Sequence, residues 1–306
     1  MSNRGCMTKT LLFFTPDPQT PSHHGRWPYV LDAYREALSG LDVEIFDAPW
    51  SEPLGRDYDL IVPLVAWGYH NAPDRFRAVM AGLKTDDRRI FNPADIVSWN
   101  VDKRYLRDLA EAGIRVIPTR FVDRVTEALL KEATADFGDT LVVKPVVSAG
   151  AKNTLVWRDG DVLAFDAIED KAGPPWDEAM IQPFMPAIQT EGEWSLLFFA
   201  GEFSHAVLKT PKSGDFRSQP DYQAHLRTLT PPPEAMLLAA ETIDFVGADR
   251  LLYARVDMVR DAEGRFCLME LELIEPDLYL AYADGASARF AHAVEIALFQ
   301  GCSCHS

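Results

Sequence analysis

The sequence lacks long hydrophobic runs and contains little cysteine. The longest apolar run near the N-terminus, Leu11 to Phe14, is too short for the core of a signal peptide, and no stretch approaches the length of a membrane span. Four cysteines among 306 residues, unevenly placed, are too few for a disulfide framework. These absences predict a cytoplasmic protein with no membrane partner. Cys302 and Cys304 could ligate a soft metal, although a frayed polar tail is the simpler interpretation.

Positive charge is also scarce. Lysine and arginine number 30 against 46 aspartate and glutamate residues, which gives a net charge of −16. A general nucleic-acid-binding protein needs a basic surface, so this class is excluded. Apolar residues make up 47% of the chain, too many for a disordered acidic protein, and 306 residues are enough for two or three domains.

The first segment, residues 1–97, has the pattern of a small open α/β domain. The predicted strands are Thr10–Thr15, Val43–Phe46, Asp59–Val62 and Arg89–Phe91, and the predicted helices are Trp27–Leu38 and Asp74–Leu83. Ligands of such sheets bind beyond the carboxyl ends of the strands, where two polar and aromatic loops fall. Their candidate substrate contacts are His23, His24, Trp67, Tyr69 and His70. A histidine near a strand end is more often structural, and that alternative stays open.

The second segment, residues 98–180, contains two lysines in positions suited to binding anions. Asn100 is predicted to cap a helix, which places Lys103 in the first turn beside free backbone amides. Lys144 ends an apolar strand and is therefore presented from a rigid support. Ser148 and Gly150 belong to a small-residue loop that lets backbone amides approach phosphates, although one glycine is a weak signal. Further predicted elements are strand Val116–Phe121 and helix Val125–Ala135.

The third segment, residues 181–306, opens with a strand that breaks into a proline-bounded turn and continues through a hairpin to a basic loop. Lys209, Lys212 and Arg217 stand out in this loop because the protein is acidic. A solvated loop is the alternative interpretation. Opposite carboxylates that bind a metal, however, such cations neutralise charge on a moving phosphate. Helices are predicted at Pro233–Val246 and Ala286–Phe299.

Carboxylates converge on a predicted antiparallel hairpin at residues 252–273. Alternation places Asp257 on the polar face of the first strand and Glu270 and Glu272 on the polar face of the second, while Met269 faces the core. The carboxylates share a surface only if cross-strand partners have numbers of opposite parity, as when Asp257 lies opposite Glu270. Like charges this close repel unless a cation lies between them, and Mg²⁺ accepts carboxylates. The alternative is a solvated polar strand face.

In combination, these motifs resemble the ATP-grasp ligases of the glutathione synthetase and RimK-like branch. The resemblance covers roughly residues 85–290 and rests on Asp102-Lys103, Val143-Lys144-Pro145, the loop at 148–150, Gln182-Pro-Phe-Met-Pro-Ala-Ile188, the basic loop, Arg255-Val-Asp257, Glu270-Leu-Glu272 and Glu275-Pro276. The combination is specific, whereas each motif alone is weak. Trp67-Gly-Tyr-His70 and the stretch from Trp99 to Tyr105 further resemble the subgroup of the cycloserine-pathway cyclo-ligase, an O-ureido-serine cyclo-ligase.

The resemblance implies an α/β (α+β) chain with the ATP-grasp fold. An open α/β substrate domain would span residues 1–97, and a lid subdomain at 98–180 and a catalytic subdomain at 181–306 would clamp ATP. The implied nucleotide contacts are Lys103, Lys144, Ser148, Gly150, Gln182, Phe184, Met185 and Glu193. The implied ligands of Mg²⁺, or of Mn²⁺ in its place, are Asp257, Glu270 and Glu272. The implied catalytic cations are Lys209, Arg217 and Arg255, of which the arginines would steady an acyl phosphate.

Two departures from the family pattern stand out. Glu272 occupies a position that is asparagine in glutathione synthetases, and the loop around Gly150 has one glycine where family members commonly have more. The function implied is an ATP- and Mg²⁺-dependent carboxylate–amine ligase for a small amino-acid-like substrate, with intramolecular ring closure left open. The alternative is a regulatory protein that binds ATP without turnover. The sequence identifies neither the acid nor the amine, and it allows for a homodimer.

Overall fold

The computed structural model describes residues 8–19, 25–150, 153–160, 177–212 and 224–299. The predictions for five residues lie outside this part of the chain: His23, His24, Arg217, Cys302 and Cys304. Among the described residues, no helix is both long enough and apolar enough to cross a membrane. Helices and strands are mixed through the described residues, whose strands form three sheets, as the predicted α/β organisation requires.

The first segment forms a parallel three-stranded sheet with flanking helices. Its elements are β1 (Lys9–Thr15), α1 (Trp27–Ala37), β2 (Val43–Pro49), β3 (Leu60–Val62) and α2 (Pro73–Thr85), with a 3-10 turn at Tyr69–Asn71. The strand order is β2-β1-β3, and the apolar central strand β1 is buried over almost its whole length. The strand predicted at Arg89–Phe91 is wrong, because this stretch is reduced to an isolated bridge between Ile90 and Ile61.

The second segment carries an antiparallel four-stranded sheet. Its elements are α3 (Ala94–Asn100), α4 (Tyr105–Glu111), β4 (Arg120–Arg124), α5 (Glu127–Phe137), β5 (Thr140–Pro145), β6 (Leu155–Arg158) and β7 (Asp177–Pro183), in the strand order β4-β7-β5-β6. Thr126 caps α5, since its hydroxyl accepts a hydrogen bond from the Leu129 amide at 3.2 Å. The strand predicted to begin at Val116 begins later, and Val116 instead forms an isolated parallel bridge with Leu268.

Asn100 does not cap a helix, contrary to the sequence prediction. It is the last residue of α3, and Lys103 lies in the turn that joins α3 to α4. The Asn100 side chain bonds instead to backbone groups of a strand about 170 residues later, at Leu271 and Leu273. Local sequence cannot show this, because a helix-capping amide and a strand-binding amide look the same in the chain.

The third segment forms an antiparallel five-stranded sheet. Its elements are α6 (Ala187–Thr190), β8 (Glu193–Phe199), β9 (Glu202–Thr210), β10 (His225–Thr228), α7 (Pro233–Val246), β11 (Tyr253–Arg260), β12 (Phe266–Glu272) and α8 (Ala286–Phe299), with 3-10 turns at Ala248–Arg250 and Leu280–Tyr282. The strand order is β10-β9-β8-β11-β12, so β12 is an edge strand. Both long helices have the predicted bounds, and α7 starts at Pro233, whose missing amide costs nothing in a first turn.

The two faces of the five-stranded sheet differ. The first face packs against α4 and α7 through residues such as Leu109 and Ile243. On the second face, Leu197 of β8 and Tyr253 of β11 pack in one apolar cluster with Phe290 of α8. Farther along the same face, the buried residues become polar, among them Glu193, Ser195, Lys209, Arg255 and Asp257. The polar end of this face is therefore where the sheet can build a site.

Both predicted domain boundaries fall inside secondary structure. Residue 97 lies within α3, and residue 180 lies within β7, which pairs with both β4 and β5. We propose divisions after residues 93 and 183, because they leave α3 and the four-stranded sheet whole.

Candidate active site

A cleft lies between the four-stranded and the five-stranded sheet. Residues of both sheets line it, among them Lys144 of β5 and Glu193 of β8. All the predicted nucleotide contacts line this cleft: Lys103, Lys144, Ser148, Gly150, Gln182, Phe184, Met185 and Glu193. Glu270 of the carboxylate hairpin lies on the same wall. Folding thus brings the predicted nucleotide contacts and one of the predicted metal ligands, which are far apart in sequence, to one place.

Part of the cleft wall is apolar, and the sequence analysis missed it. The side chains concerned are those of Ile117, Val142, Ile188 and Met269. In the sequence they are indistinguishable from core residues, so no local signal could have identified them. An apolar wall beside the Phe184 turn suits a flat heterocycle, because its faces are buried against aliphatic groups while backbone groups reach its edge.

Met269 reaches the cleft because β12 contains a β-bulge. Asp257 pairs with Glu270, but the next residue, Met258, pairs with Leu268, so the ladder skips Met269. The extra residue turns Met269 toward the cleft. The prediction that Met269 faces the core is therefore wrong, since strict alternation cannot show an irregularity of one residue.

Lys103 links the cleft loop to the carboxylate hairpin. Its Nζ donates to the Ser148 carbonyl oxygen at 2.5 Å and lies 3.0 Å from Glu270 Oε1. Lys144 stands nearby on β5, and burial lowers its pKa, against the opposing influence of Glu270. Two ammonium groups beside the small-residue loop make an anion site. Gly150 has φ of +63°, a conformation open to glycine at little cost.

The predicted register of the carboxylate hairpin is confirmed. Asp257 lies opposite Glu270, and Arg255 lies opposite Glu272. The Arg255 guanidinium donates to Asp257 at 3.0 and 3.1 Å and also ion-pairs with Glu272. Ser195, which the sequence analysis missed, donates its hydroxyl to Asp257 from the neighbouring strand β8. The acidic face is therefore crosslinked by hydrogen bonds and is not a solvated surface.

Lys209 belongs to this buried network and not to a solvated loop. It lies in β9, is 2% exposed, ion-pairs with Glu193 and lies 3.6 Å from Asp257. The predicted placement of Lys209 in a loop is wrong, while its catalytic role stays a prediction. In the structure Lys209 joins Glu193, a predicted nucleotide contact, to Asp257, a predicted metal ligand.

Two further acids near this face, Glu272 and Glu275, have raised pKa values. Burial, with Asp257 and Glu270 as like-charged neighbours, raises the pKa of Glu272 to about 8 despite its contact with Arg255. Burial also raises the pKa of Glu275 to about 7. Among the described residues, no three histidine, cysteine or acidic side chains are arranged to hold a metal ion together. The acids share a face, as predicted, but their role as metal ligands remains a prediction.

The loop that contains Trp67 and His70 lies beside the acidic face. Tyr69 is buried, and burial together with Glu275, Glu270 and Glu272 raises its pKa well above the ordinary value. Its ring packs at 4.9 Å from the Phe76 ring, which holds the loop on α2. Trp67 and His70 are half-buried. The first segment therefore contributes its predicted loop to the neighbourhood of the carboxylates.

No protein-family model matches the chain. The cycloserine biosynthesis protein DcsG of Streptomyces lavendulae is 34% identical over 291 residues, which cover 87% of this chain and 92% of DcsG. A crystal structure of D-cycloserine synthetase DcsG matches with a TM-score of 0.75 and 27% identity, over 94% of this chain and 99% of that chain.

A second solved structure supports the same fold. D-alanine–D-alanine ligase from Bacillus anthracis matches with a TM-score of 0.66 over 95% of this chain and 96% of that chain. At 16% identity this likeness shows the fold alone. The predicted ATP-grasp fold is confirmed, and the identity with DcsG extends along most of both chains. The chain belongs to the ATP-grasp ligase family, in the company of DcsG, and is an enzyme that uses ATP to join a carboxylate to a nitrogen.

Proposed function

We propose that the enzyme activates the carboxylate of a small amino-acid-like substrate as an acyl phosphate, which a nitrogen of the same molecule then attacks to close a ring. The observation that carries the proposal is the single cleft shared by the predicted nucleotide contacts and Glu270. The proposal of ring closure is supported by the relative DcsG, a cycloserine biosynthesis protein whose solved structure is that of a D-cycloserine synthetase.

The cleft supports a definite orientation for ATP. We place the phosphates at Lys103 and Lys144, because both lysines line the cleft together with the small-residue loop and Lys103 bonds to it. Burial chiefly lowers the pKa of Lys144, and a bound phosphate would oppose that effect because a nearby anion favours the charged ammonium. The adenine ring would lie along the apolar wall near Met269, and Glu193 would meet the ribose.

The acids on the hairpin fit a magnesium ion by their chemistry. Asp257, Glu270 and Glu272 offer oxygen ligands only, which is the donor type that Mg²⁺ prefers. When bound, Mg²⁺ neutralises charge on the phosphates. Arg255 is held between Asp257 and Glu272, so we assign its remaining donor capacity to the acyl phosphate.

The proposed reaction has two chemical steps. In the first, a carboxylate oxygen of the substrate attacks the γ-phosphorus of ATP, the bond to the β-phosphate oxygen breaks, and ADP leaves. In the second, the substrate nitrogen attacks the acyl carbon, a C–N bond forms, and inorganic phosphate leaves with the electrons of the broken C–O bond while the nitrogen loses a proton.

The experiment is a substrate screen that reads out ADP and is followed by mass determination of the product. Ring closure predicts ADP formation with one substrate alone, and a product whose atoms all come from that substrate. An intermolecular ligase would need an acid and an amine together. A protein that binds ATP tightly and forms no ADP with any substrate would support the regulatory alternative, which its relatives do not favour. The use of Mn²⁺, a homodimer and a cytoplasmic location remain predictions.

A further inference from the structure

The outer edge of β12 is paired with side chains in place of another strand. The Asn100 side chain donates to the Leu271 carbonyl oxygen at 2.8 Å and accepts from the Leu273 amide at 2.9 Å. The Tyr105 hydroxyl accepts from the Leu271 amide at 2.9 Å. All these groups are buried. The carbonyl and amide groups that an edge strand normally leaves open are therefore satisfied at this point.

The spacing of these contacts copies a strand ladder. Residues two apart in a strand direct their backbone groups to the same edge, so Leu271 and Leu273 present a carbonyl and an amide to one neighbour. A carboxamide carries both a donor and an acceptor, and Asn100 uses each of them once. At the next carbonyl, that of Leu273, a second buried amide side chain, Asn92, donates at 2.8 Å.

The β-bulge makes the register of β12 depend on these contacts as well as on its pairing with β11. At a bulge, the pairing of β12 with β11 changes register between Glu270 and Leu268. A strand with an unpaired residue can shift by one position, and such a shift would turn Glu270 and Glu272 toward the core. Hydrogen bonds from the other edge, at Leu271 and Leu273, oppose that shift where the ladder is weakest.

The same short segment carries Lys103, between Asn100 and Tyr105. The Lys103 amide donates to the Val146 carbonyl oxygen at 2.8 Å, and its ammonium lies 3.0 Å from Glu270. The segment from Asn100 to Tyr105 therefore hydrogen-bonds to the edge of β12 and places Lys103 beside Glu270 on that strand. This segment thus sets the distance between Lys103 and Glu270.

We propose that Asn100 and Tyr105 are positioning residues that fix Glu270 and Glu272 relative to Lys103, and so set the affinity of the acidic face for Mg²⁺. The inference rests on the proposed function for the role of these acids. The hydrogen bonds of Asn100 and Tyr105 to the backbone of Leu271 and Leu273, which we call the brace, do not depend on that function. Residues that orient metal ligands typically change affinity or activity by about 10- to 100-fold when they are altered.

The test compares Tyr105→Phe and Asn100→Leu with a control, Thr10→Val. Tyr105→Phe removes only the hydroxyl that accepts from Leu271, so it tests the brace even if Asn100→Leu fails to fold. Thr10→Val is the control because it also removes the hydroxyl of a buried residue, but in β1 of the first segment. That hydroxyl donates to the Asp59 carboxylate at 2.9 Å and accepts from the Asp59 amide at 3.1 Å. Each variant is measured by hydrogen exchange of the nucleotide-free protein and by the Mg²⁺ dependence of ADP formation.

We expect faster exchange in peptides that cover β12, about a tenfold or greater rise in the Mg²⁺ concentration for half-maximal activity, and a smaller change in the KM for ATP. The control should lower the melting temperature without moving either readout. Tyr105→Phe with the exchange and Mg²⁺ dependence of the parent would overturn the proposal. A parent that forms no ADP with any substrate would remove the proposed function, while exchange at Leu271 and Leu273 would still decide whether the brace exists.

Discussion

Asp257 faces Glu270 directly across the antiparallel pair of β11 and β12. Both carboxylates are in contact with cations: Asp257 with Arg255, and Glu270 with Lys103 at 3.0 Å. Burial opposes the ionisation of both acids, yet these cations, with Lys209 beside Asp257 and Lys144 near Glu270, hold both pKa values below their ordinary range. Both groups are therefore charged at neutral pH.

Glu270→Gln should lower turnover by roughly 100-fold or more while ATP affinity changes much less. The substitution removes charge at the place where charge develops during phosphoryl transfer, and electrostatic groups of this kind act mainly on the transition state. Steady-state ADP formation and calorimetry with ATP measure the two effects. Glu263→Gln is the matched control, since Glu263 is an exposed acid in the turn of the same hairpin. Equal losses in turnover and in affinity for Glu270→Gln would contradict the proposed role.

Lys144→Ala should weaken ATP binding by about 10- to 100-fold, the usual worth of a hydrogen bond to a charged group. Lys144 stands on a rigid strand and lines the cleft, and burial already disfavours its charge in the absence of an anion. Calorimetric titration with ATP is the measurement. Lys131→Ala removes an exposed lysine that pairs with Glu127 on α5 and should leave the affinity unchanged. Parental affinity in Lys144→Ala would rule out the phosphate assignment.

The shared face of Asp257 and Glu270 could be predicted from sequence because hairpin pairing is local. A short turn leaves few registers open, and the side-chain period of two then decides which residues face together. The local helical pattern likewise placed α7 and α8 correctly, whereas strict strand alternation has a limit. It failed at Met269, where a bulge that no local pattern marks turns one side chain to the other face.

The roles of Asn100 and Lys209 could not be predicted for a different physical reason. Asn100 bonds to residues 171 and 173 positions later, and Lys209 pairs with Glu193 across two strands. A polar side chain near a helix or in a charged stretch has a common local explanation, as a cap or a solvated charge. Only the fold shows that a buried backbone group or a buried carboxylate is its partner.

His205 should make the protein less stable in mild acid. It lies in β9, its Nε2 is 3.1 Å from the Leu278 carbonyl oxygen, and burial lowers its pKa from 6.5 to about 4. The unfolded chain binds a proton near pH 6.5 and the folded protein only near pH 4, so stability falls as the pH drops through this window. The loss attributable to His205 is up to about 3 kcal/mol.

Replacement of His205 by glutamine tests this pH dependence, because an amide keeps hydrogen-bonding capacity and does not titrate. Urea denaturation of the parent and of His205→Gln at several pH values from 7.5 to 4 gives the free energy of unfolding of each protein as a function of pH. The parent should lose more stability than the variant as the pH falls. Parallel pH profiles would show that His205 contributes nothing to acid sensitivity.

Gly192 immediately precedes β8 and approaches the neighbouring strand β9 closely. Its φ is +109°, and a Cβ at this position would lie 2.7 Å from the Lys209 carbonyl oxygen and 3.0 Å from the Leu208 side chain. Glu193, the next residue, ion-pairs with Lys209. A side chain at Gly192 must therefore push β9 away from β8 at the point where this buried ion pair joins them.

Gly192→Ala should lower the free energy of unfolding by about 2 to 5 kcal/mol, the sum of left-handed backbone strain and overpacking. Gly113→Ala is the control, because Gly113 has φ of +89° and open space around it, so it reports the backbone strain alone, about 1 to 2 kcal/mol. Gly192→Ala should also weaken ATP binding, since Glu193 lines the cleft, whereas Gly113→Ala should not. Urea denaturation and calorimetry separate the two effects. Equal destabilisation with parental ATP affinity in both variants would show that β9 yields to the added methyl group without disturbing Glu193.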